Sequence, residues 1–378
     1  MIESSWPASE NMPSNVDRVV VNLGPQHPST HGVFRLVLTL EGETIVDADT
    51  VVGYLHRGTE KLAEEGTYQQ IVPYTDRLDY LSGMLNNFAY VLAVEKVAAL
   101  QIPVRAEYLR VITAELSRIA SHMVFVGTFA ADLGTFFTPL MYAFRDRERI
   151  MDLFELICGA RLTVSYHRVG GVAADAPQGW IDSCKAFVDY LPSKIDEYEA
   201  LLTNNEIVIA RTKGVGAVSP QLAIDYGITG PVLRATGLAY DIRRARPYSI
   251  YPTLDFDIPT GTTGDCYDRF LVRVREMRQS VRILQQALDR IPKGDFAIPL
   301  PRNYRAPVGA AYASVESSRG ELGFYVVSDG TSKPHRVFMR TPSFGNLQAL
   351  PALFKNNLIS DSIASLGSMD FVLGDVDR

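Results

Sequence analysis

Apolar and polar positions alternate near the start of the chain. Three segments rich in β-branched residues carry the alternation: 16–23, 33–40 and 44–52. With a tight turn at 41–42, the pattern predicts a small antiparallel sheet. Residues 24–32 hold two prolines and two glycines, which cannot continue a strand ladder, so they predict a short polar loop between the first two strands.

A helical pattern replaces the alternation from about Asp76. Apolar residues recur at three- and four-residue steps as far as Leu92, which predicts a helix from 76 to about 100. Further predicted helices cover 105–128, 139–162, 180–202 with a kink or break at Pro192, a short segment after the Ser219-Pro220 cap, and 265–291. Together these segments predict a bundle of long helices.

The last part of the chain mixes both patterns. Residues 294–306 are rich in proline and predict a connection, and three predicted strands follow at 310–315, 321–328 and 335–340, before apolar segments at 347–355 and 359–367 and an acidic end. The predicted fold class is therefore α+β. We expect three parts: a sheet with its loop over 1–60, a helical bundle over 61–293 and an α+β part over 294–378.

Charge and motif content exclude several classes of function. The chain has 37 basic and 43 acidic residues among 378, a net charge of −6, so no broad cationic surface for nucleic acid is expected. Neither the glycine-rich dinucleotide fingerprint nor a P-loop is present, so we expect no direct nucleotide binding. Nucleic acid is not an expected partner.

Cysteine usage and the N-terminus favour a reducing compartment inside the cell. The three cysteines, Cys158, Cys184 and Cys266, form neither a disulfide framework nor a metal-binding pair. Residues 1–15 lack the basic head and apolar run of a secretory signal. Residues 119–144 are long and apolar enough to span a bilayer, but Asp132 near the middle and Pro139 favour a buried core helix.

Six short motifs resemble one family in order along nearly the whole chain. They are GPQHPSTHGV at 24–33, GYLHRG at 53–58, ELSRIASH at 115–122, GGV at 170–172, GELG at 320–323 and GDVDR at 374–378. Together they resemble the D subunit of respiratory complex I, the proton-pumping NADH:quinone oxidoreductase. The resemblance implies a subunit that forms the quinone-reduction site together with an adjacent iron-sulfur subunit.

That family is in turn similar to the large subunit of nickel-iron hydrogenases. Hydrogenases bind their metals through four thiolates, in an Arg-x-Cys-Gly-x-Cys motif and a C-terminal Asp-Pro-Cys-x-x-Cys motif. The matching positions here are Asp79, Ser82, Val372 and Asp375. Soft metals need soft ligands, so we expect no nickel-iron centre and no metal or cluster bound by this chain.

The resemblance implies the residues that face the quinone headgroup. They are Tyr80 and His31, with Asp132 paired to the histidine and His27 as a further quinone-binding candidate. Other interpretations remain open from the residues alone. Asp132 could cap a helix end, His31 could bond to backbone, and Tyr80 is one of 18 tyrosines.

The resemblance also implies the partners. A 4Fe-4S cluster in the adjacent iron-sulfur subunit lies near Arg77, for which a surface ion pair is the alternative. Many relatives carry a histidine where this chain has Thr163, and its absence favours a low-potential quinone such as menaquinone. Other peripheral-arm subunits and membrane-arm subunits complete the complex, at the cytoplasmic face of an energy-transducing membrane, with this chain held peripherally by its partners.

Two other classes of function stay open from the sequence. One is a hydrogenase-type enzyme, against which the four replaced thiolates argue. The other is a scaffold that only docks neighbouring subunits, against which the retained His31, Tyr80 and Asp132 argue.

Overall fold

The computed structural model describes residues 17–26, 32–135, 137–301 and 303–378. It opens with the expected antiparallel sheet, whose strands pair in the order β1-β2-β3. The strands are β1 (Arg18–Leu23), β2 (Arg35–Glu41) and β3 (Thr44–Val51). Alternate residues of β2, Leu36 and Leu38 among them, are buried on one face, as a period of two requires.

Two short helices that the pattern did not predict follow the sheet, α1 (Thr59–Glu65) and α2 (Tyr68–Thr75). The helix predicted from Asp76 is wrong at its start, because α3 (Gly83–Ala98) begins seven residues later. The intervening segment bends because Asp76 accepts hydrogen bonds from Ser165 and Asn87, at 3.0 Å to Ser165 N and 2.9 Å to Asn87 Nδ2. Tertiary bonds therefore override a helical apolar pattern.

Long helices form the central layer. They are α4 (Val104–Asp132), α5 (Thr138–Cys158) and, after the two-residue strands β4 (His167–Arg168) and β5 (Gly171–Val172), α6 (Trp180–Leu202). The prediction that the third helix runs to 162 is wrong, because Gly159 adopts a left-handed φ of 74° that ends it. Pro192 lies inside α6, which continues through it.

Four short helices lead to the last long one. They are α7 (Glu206–Thr212), α8 (Pro220–Asp225), α9 (Pro231–Ala235) and α10 (Ile242–Ala245), followed by α11 (Cys266–Arg290). Ser219 caps α8 through its hydroxyl, as expected, and Asp265 caps α11 through its carboxylate. Helices α4 and α11 pack against each other and against α5 and α6 to form the main core.

A second three-stranded antiparallel sheet and four helices complete the chain. The strands are β6 (Gly309–Glu316), β7 (Glu321–Ser328) and β8 (Arg336–Arg340), close to their predicted bounds. The helices are α12 (Pro342–Gln348), α13 (Leu350–Phe354), α14 (Ile359–Met369) and α15 (Leu373–Asp377). The mixture of helices and small antiparallel sheets confirms the α+β class.

The first sheet shares a core with the last helices. Leu36 and Leu38 of β2 belong to one buried apolar cluster with Phe354, Phe371 and Leu373. Backbone bonds reinforce this contact, since Ile45 N donates to Asn357 O at 2.9 Å. The first sheet and the C-terminal helices are thereby held together.

The apolar stretch at 119–144 is divided between two helices. Helix α4 ends at Asp132 and α5 begins at Thr138, and most of α4 is buried in the main core, as predicted. In the part of the chain that the structure describes, no helix is long and apolar enough to cross a bilayer.

The contact of α15 with the 76–82 turn gives the first testable prediction. A Cβ built at Gly374 would lie 2.5 Å from Leu78 O and 2.9 Å from Arg77 O, so Gly374→Ala must push these backbones apart. We expect it to lower the free energy of unfolding by about 1–3 kcal/mol. Thermal unfolding of the purified chain measures this.

Gly345→Ala in α12 is the matched control. Its Cβ would meet Gly227 O at 3.4 Å, an ordinary contact, and Gly345 has no left-handed φ. Equal melting temperatures for the two variants would contradict the close approach of α15 to the turn.

Candidate functional site

The turn at 76–82 presents Tyr80 to solvent while its neighbours are buried. Tyr80 is 41% exposed, whereas Leu78 and Asp79 are at most 2% exposed. Asp79 Oδ1 accepts from Leu81 N at 3.1 Å and fixes the local turn. Partial burial, with the charges of Asp79 and Asp370 and against that of Arg319, raises the pKa of the Tyr80 phenol, so the phenol keeps its proton at neutral pH.

Arg319 lies behind this turn, at the start of the β7 hairpin arm. Its guanidinium is 1% exposed, and its Nη1 donates to Asp79 Oδ2 at 2.6 Å. Nη1 also lies 2.9 Å from Ser121 Oγ and 3.4 Å from Ser82 Oγ. Arg319 thus links the turn to α4.

The C-terminal segment closes the other side of Arg319. Arg319 Nη2 donates to Asp370 Oδ1 at 3.1 Å, and Asp370 Oδ2 lies 3.5 Å from Arg273 Nε on α11. Burial opposes the charge of Arg319, but attraction to Asp370, Asp79 and Asp375 outweighs it and raises the pKa of the guanidinium. Arg319 is therefore charged at every physiological pH.

Of the four positions expected to match hydrogenase thiolates, three lie around this cation. Asp79 and Ser82 contact Arg319 directly, and Asp375 lies within its electrostatic reach. Val372 is 3% exposed, and its N–H donates to Ser343 Oγ at 3.3 Å, beside the bond from Ser343 N to Asp375 Oδ2 at 3.0 Å. In the described ranges, no three His, Cys, Asp or Glu side chains form a group that could hold a metal ion.

Asp132 approaches the same C-terminal segment. It is the last residue of α4, and a Cβ built at Gly367 of α14 would lie 2.7 Å from Asp132 Oδ2. The unpaired backbone groups at a helix C-terminus are carbonyls, which a carboxylate cannot bond. Capping this end of α4 is therefore not the role of Asp132.

His31 and His27, the other two residues expected at the quinone, lie outside the described residues. The chain just after them can be located. A Cβ built at Gly32 would lie 2.9 Å from Leu373 Cδ1, and the Phe34 ring is 5.6 Å from that of Phe371. Residue 32 thus lies against the segment that also contacts Arg319 and Asp132.

Arg77 is exposed on the outer side of the turn. Its Nη1 donates to Pro73 O at 2.5 Å, and among the residues that the structure describes no carboxylate forms an ion pair with it. It borders a surface cavity of about 600 Å³ together with Arg57 and Tyr74, whose ring lies 5.6 Å from the Arg57 guanidinium. Within the described ranges, the surface ion pair considered from the sequence is not formed.

Thr163 lies close to the start of α3. It is exposed, and its neighbours Leu162 and Val164 flank Gly83, where a Cβ would be 3.3 Å from Leu162 O and from Val164 Cγ2. Thr163 therefore lies on a segment beside the turn that carries Arg77 and Tyr80.

Comparison with known proteins decides the family. Residues 132–303 and 300–378 match the model of the respiratory-chain NADH dehydrogenase 49 Kd subunit. The D subunit of the NADH-quinone oxidoreductase of Desulforamulus reducens is 58% identical over 97% of this chain and 100% of its own length. The chain belongs to this family.

Two further relatives agree. The D subunits of Dehalococcoides mccartyi and Clostridium beijerinckii are 53% and 50% identical over 97% and 96% of this chain, and over 100% and 98% of their own lengths. Members of the 49 Kd, or D, subunit family are parts of a multi-subunit oxidoreductase. The resemblance inferred from the six motifs is confirmed.

The family motifs contact one another in space. Asp377 of the C-terminal motif accepts from Gly53 N at 2.8 Å and Leu55 N at 2.7 Å in the GYLHRG motif. Ser121 of the ELSRIASH motif bonds to Arg319, which directly precedes the GELG motif. The motifs therefore mark a connected region around the turn and the C-terminal segment.

The sequence analysis did not identify three charged residues of this region, Arg319, Arg273 and Asp370. Both arginines lie within ion-pair distance of Asp370. A charged residue is expected at the surface by default, and nothing in the local pattern of a single sequence marks these as buried. The nearest signal was the position of Arg319 beside the GELG motif, at the sharp Ser317–Gly320 connection of β6 to β7.

Asp375 gives a prediction about pH. It is 1% exposed, and its Oδ1 has no hydrogen-bond partner among the described residues. Burial and the nearby charge of Asp79 raise its pKa to about 6, above the value of about 3.9 in an unfolded chain. The folded state then binds more protons between these values, so stability falls as pH rises from about 4 to 6.

Asp375→Asn removes this cost and keeps an acceptor for Ser343 N. We expect the variant to be more stable than the natural chain at pH 8, by roughly 2 to 3 kcal/mol, and equally stable near pH 4. Thermal unfolding at the two pH values measures the difference. The exposed Asp189→Asn is the control; a pH-independent effect of Asp375→Asn would contradict the raised pKa.

Proposed function

We propose that this chain forms, with the adjacent iron-sulfur subunit, the quinone-reduction site of a proton-translocating oxidoreductase that uses NADH or a related donor. The carrying observation is the half-exposed Tyr80 phenol, held on a turn that is ion-paired to the C-terminal segment. The scaffold corresponds to that of a nickel-iron hydrogenase large subunit whose metal ligands have been replaced. The arrangement of three of the four replaced positions, Asp79, Ser82 and Asp375, around one cation supports this.

Quinone reduction adds two electrons and two protons, and each carbonyl oxygen of the headgroup becomes a hydroxyl. In the proposal, the Tyr80 phenol donates a proton to one carbonyl and the His31 imidazole donates to the other. The raised pKa of Tyr80 supports its role as a protonated donor at neutral pH. Asp132 pairs with His31 and stabilises its charged form, and His27 contributes to binding.

The electrons come from a 4Fe-4S cluster in the iron-sulfur subunit. Two cations, Arg77 and Arg57, and one carboxylate, Glu65, border the same surface cavity, which leaves one positive charge in excess, and Arg77 has no ion-pair partner among described residues. An unneutralised positive charge at this surface would favour the reduced, more negative cluster of a docked neighbour. These observations support this face as the one that meets the iron-sulfur subunit.

The remaining steps depend on other subunits. We assign proton translocation to membrane-arm subunits, which sense quinone reduction through the loop at 24–32 and Asp132. The chain would lie peripherally at the cytoplasmic face of an energy-transducing membrane. Thr163 supplies no ionisable group near the cluster, which favours a low-potential quinone such as menaquinone.

Tyr80→Phe tests the proposal directly. Removing the phenolic proton donor should lower quinone reductase kcat by about 10² to 10⁴-fold in the assembled complex, because phenylalanine keeps the ring and loses only the hydroxyl. NADH oxidation with ferricyanide, which accepts electrons without the quinone site, should be unchanged and reports assembly.

Tyr325→Phe on β7 is the matched control, because Tyr325 is also 41% exposed and lies outside the site. Its quinone reductase activity should equal that of the natural complex. Normal quinone turnover in the assembled Tyr80→Phe complex would refute the proposed role of Tyr80 and favour a chain that only docks its neighbours.

Arg77→Gln tests the assignment of the cluster-facing surface. Loss of the cation should lower the midpoint potential of the neighbouring cluster by tens of millivolts, because the reduced state loses a favourable charge. A redox titration followed by electron paramagnetic resonance measures the potential. Arg290→Gln is the control, since Arg290 is also exposed and donates to a backbone carbonyl, Thr253 O at 2.9 Å. An unchanged potential in Arg77→Gln would place the cluster elsewhere.

A further inference from the structure

Arg319 contacts two separate walls of the candidate site. Its Nη1 bonds to Asp79 Oδ2 at 2.6 Å on the turn that carries Tyr80, and its Nη2 bonds to Asp370 Oδ1 at 3.1 Å on the C-terminal segment. Asp79 and Asp370 are 291 positions apart in the chain, so no local structure holds them together. The planar guanidinium fork is the described group that bonds to both carboxylates at once.

Both carboxylates lie next to a residue that matters for the proposed site. Asp79 directly precedes Tyr80, and its other oxygen accepts from Leu81 N at 3.1 Å, so the carboxylate brackets the tyrosine. Asp370 directly precedes Phe371, which packs against Phe34 at 5.6 Å, just after the loop at 24–32. The position of Arg319 therefore sets the separation between the phenol and the segment that contacts Gly32 and Phe34.

The charges around Arg319 explain why removing this cation would disturb the site. Three carboxylates face Arg319: Asp79, Asp370 and Asp375. Arg273 lies on the far side of Asp370, and the Tyr80 phenol is close enough to interact electrostatically. The remaining neighbours are the hydroxyls of Ser82, Ser121 and Ser318. Three carboxylates face two guanidinium groups. Without Arg319, up to three negative charges would face one positive charge in a buried space, where repulsion is large.

We infer that Arg319 is a positioning residue for quinone reduction, whose buried charge lies among Asp79, Ser82 and Asp375 and fixes Tyr80 relative to the C-terminal segment. It does not touch the substrate. This inference rests on the proposed function of Tyr80. In this view Arg319 affects the reaction only by holding the Tyr80 phenol in place.

The test uses the assembled complex with Arg319→Met and Arg319→Lys. Arg319→Met should lower quinone reductase kcat at pH 8 by about 10²-fold with little change in KM, because misplacing a catalytic group slows the reaction more than it weakens tail binding. Lowering the pH to 6 should restore part of the kcat, since Asp375, whose pKa burial raises to about 6, then takes up a proton and relieves part of the repulsion that displaces the turn. Arg319→Lys keeps the charge but not the fork, so we expect a several-fold loss of kcat without the acid recovery.

Arg110→Met is the matched control for removing a buried arginine. Arg110 is fully buried and bonds to Glu95 through both terminal nitrogens, at 2.9 and 2.6 Å, but lies outside the site. Complex that assembles with Arg110→Met should keep the kcat and pH profile of the natural enzyme. Ferricyanide reduction by NADH normalises each preparation for assembly.

The outcomes separate the two proposals. Natural kcat and pH profile in Arg319→Met, with Tyr80→Phe inactive, would overturn the positioning role alone. Equal, pH-independent losses in Arg319→Met and Arg319→Lys would also overturn it. If Arg319→Met does not assemble, Arg319→Lys decides: a lower kcat at unchanged KM supports the inference, and natural kcat contradicts it. Normal turnover in Tyr80→Phe would refute the proposed function itself.

Discussion

A charge removed from water must be paired, and the candidate site is organised around one such charge. The guanidinium of Arg319 is 1% exposed, and it is stabilised by Asp79 on one side and Asp370 on the other. Breaking a buried pair of this kind typically costs about 3–5 kcal/mol, because the remaining charge is left unpaired. The turn before α3 and the segment after α14 are therefore obliged to stay together.

The rest of the fold supports this contact from several directions. Helix α4 supplies Ser121 to Arg319 and Asp132 to the face of α14. The first sheet shares a buried apolar cluster with Phe371 and Leu373, which brings the end of the loop at 24–32 to the same segment. The turn at 76–82, helix α4 and the first sheet come from distant parts of the chain, and all of them contact the C-terminal segment.

Much of the fold could be predicted from the sequence, because periodicity reports which face of an element is buried. The strands of the two three-stranded sheets and the helices α4, α6 and α11 were predicted close to their observed bounds for this reason. The turn at 76–82 was not, because its apolar residues continue the helical pattern of α3 while the bonds of Asp76 and Asp79 bend the backbone. Those bonds reach Ser165 and Arg319, the latter 240 positions away, and no local pattern encodes such a distance.

The candidate site, too, could be predicted only in part. Motif resemblance selected Tyr80, Asp132 and Arg77, and the structure adds the buried cation that connects the turn to the C-terminal segment. A charged residue in one sequence gives no sign that it is buried, since its partners determine its burial. Asp132 illustrates the opposite case, because a lone acid in an apolar stretch marked a residue that lies against α14.

The most direct test of the account is a density map of the assembled complex with a bound quinone analogue. We expect a headgroup carbonyl within hydrogen-bond distance of the Tyr80 hydroxyl, with Arg319 behind the turn and bonded to both Asp79 and Asp370. A headgroup bound elsewhere, with the Tyr80 hydroxyl directed away from it, would contradict the account.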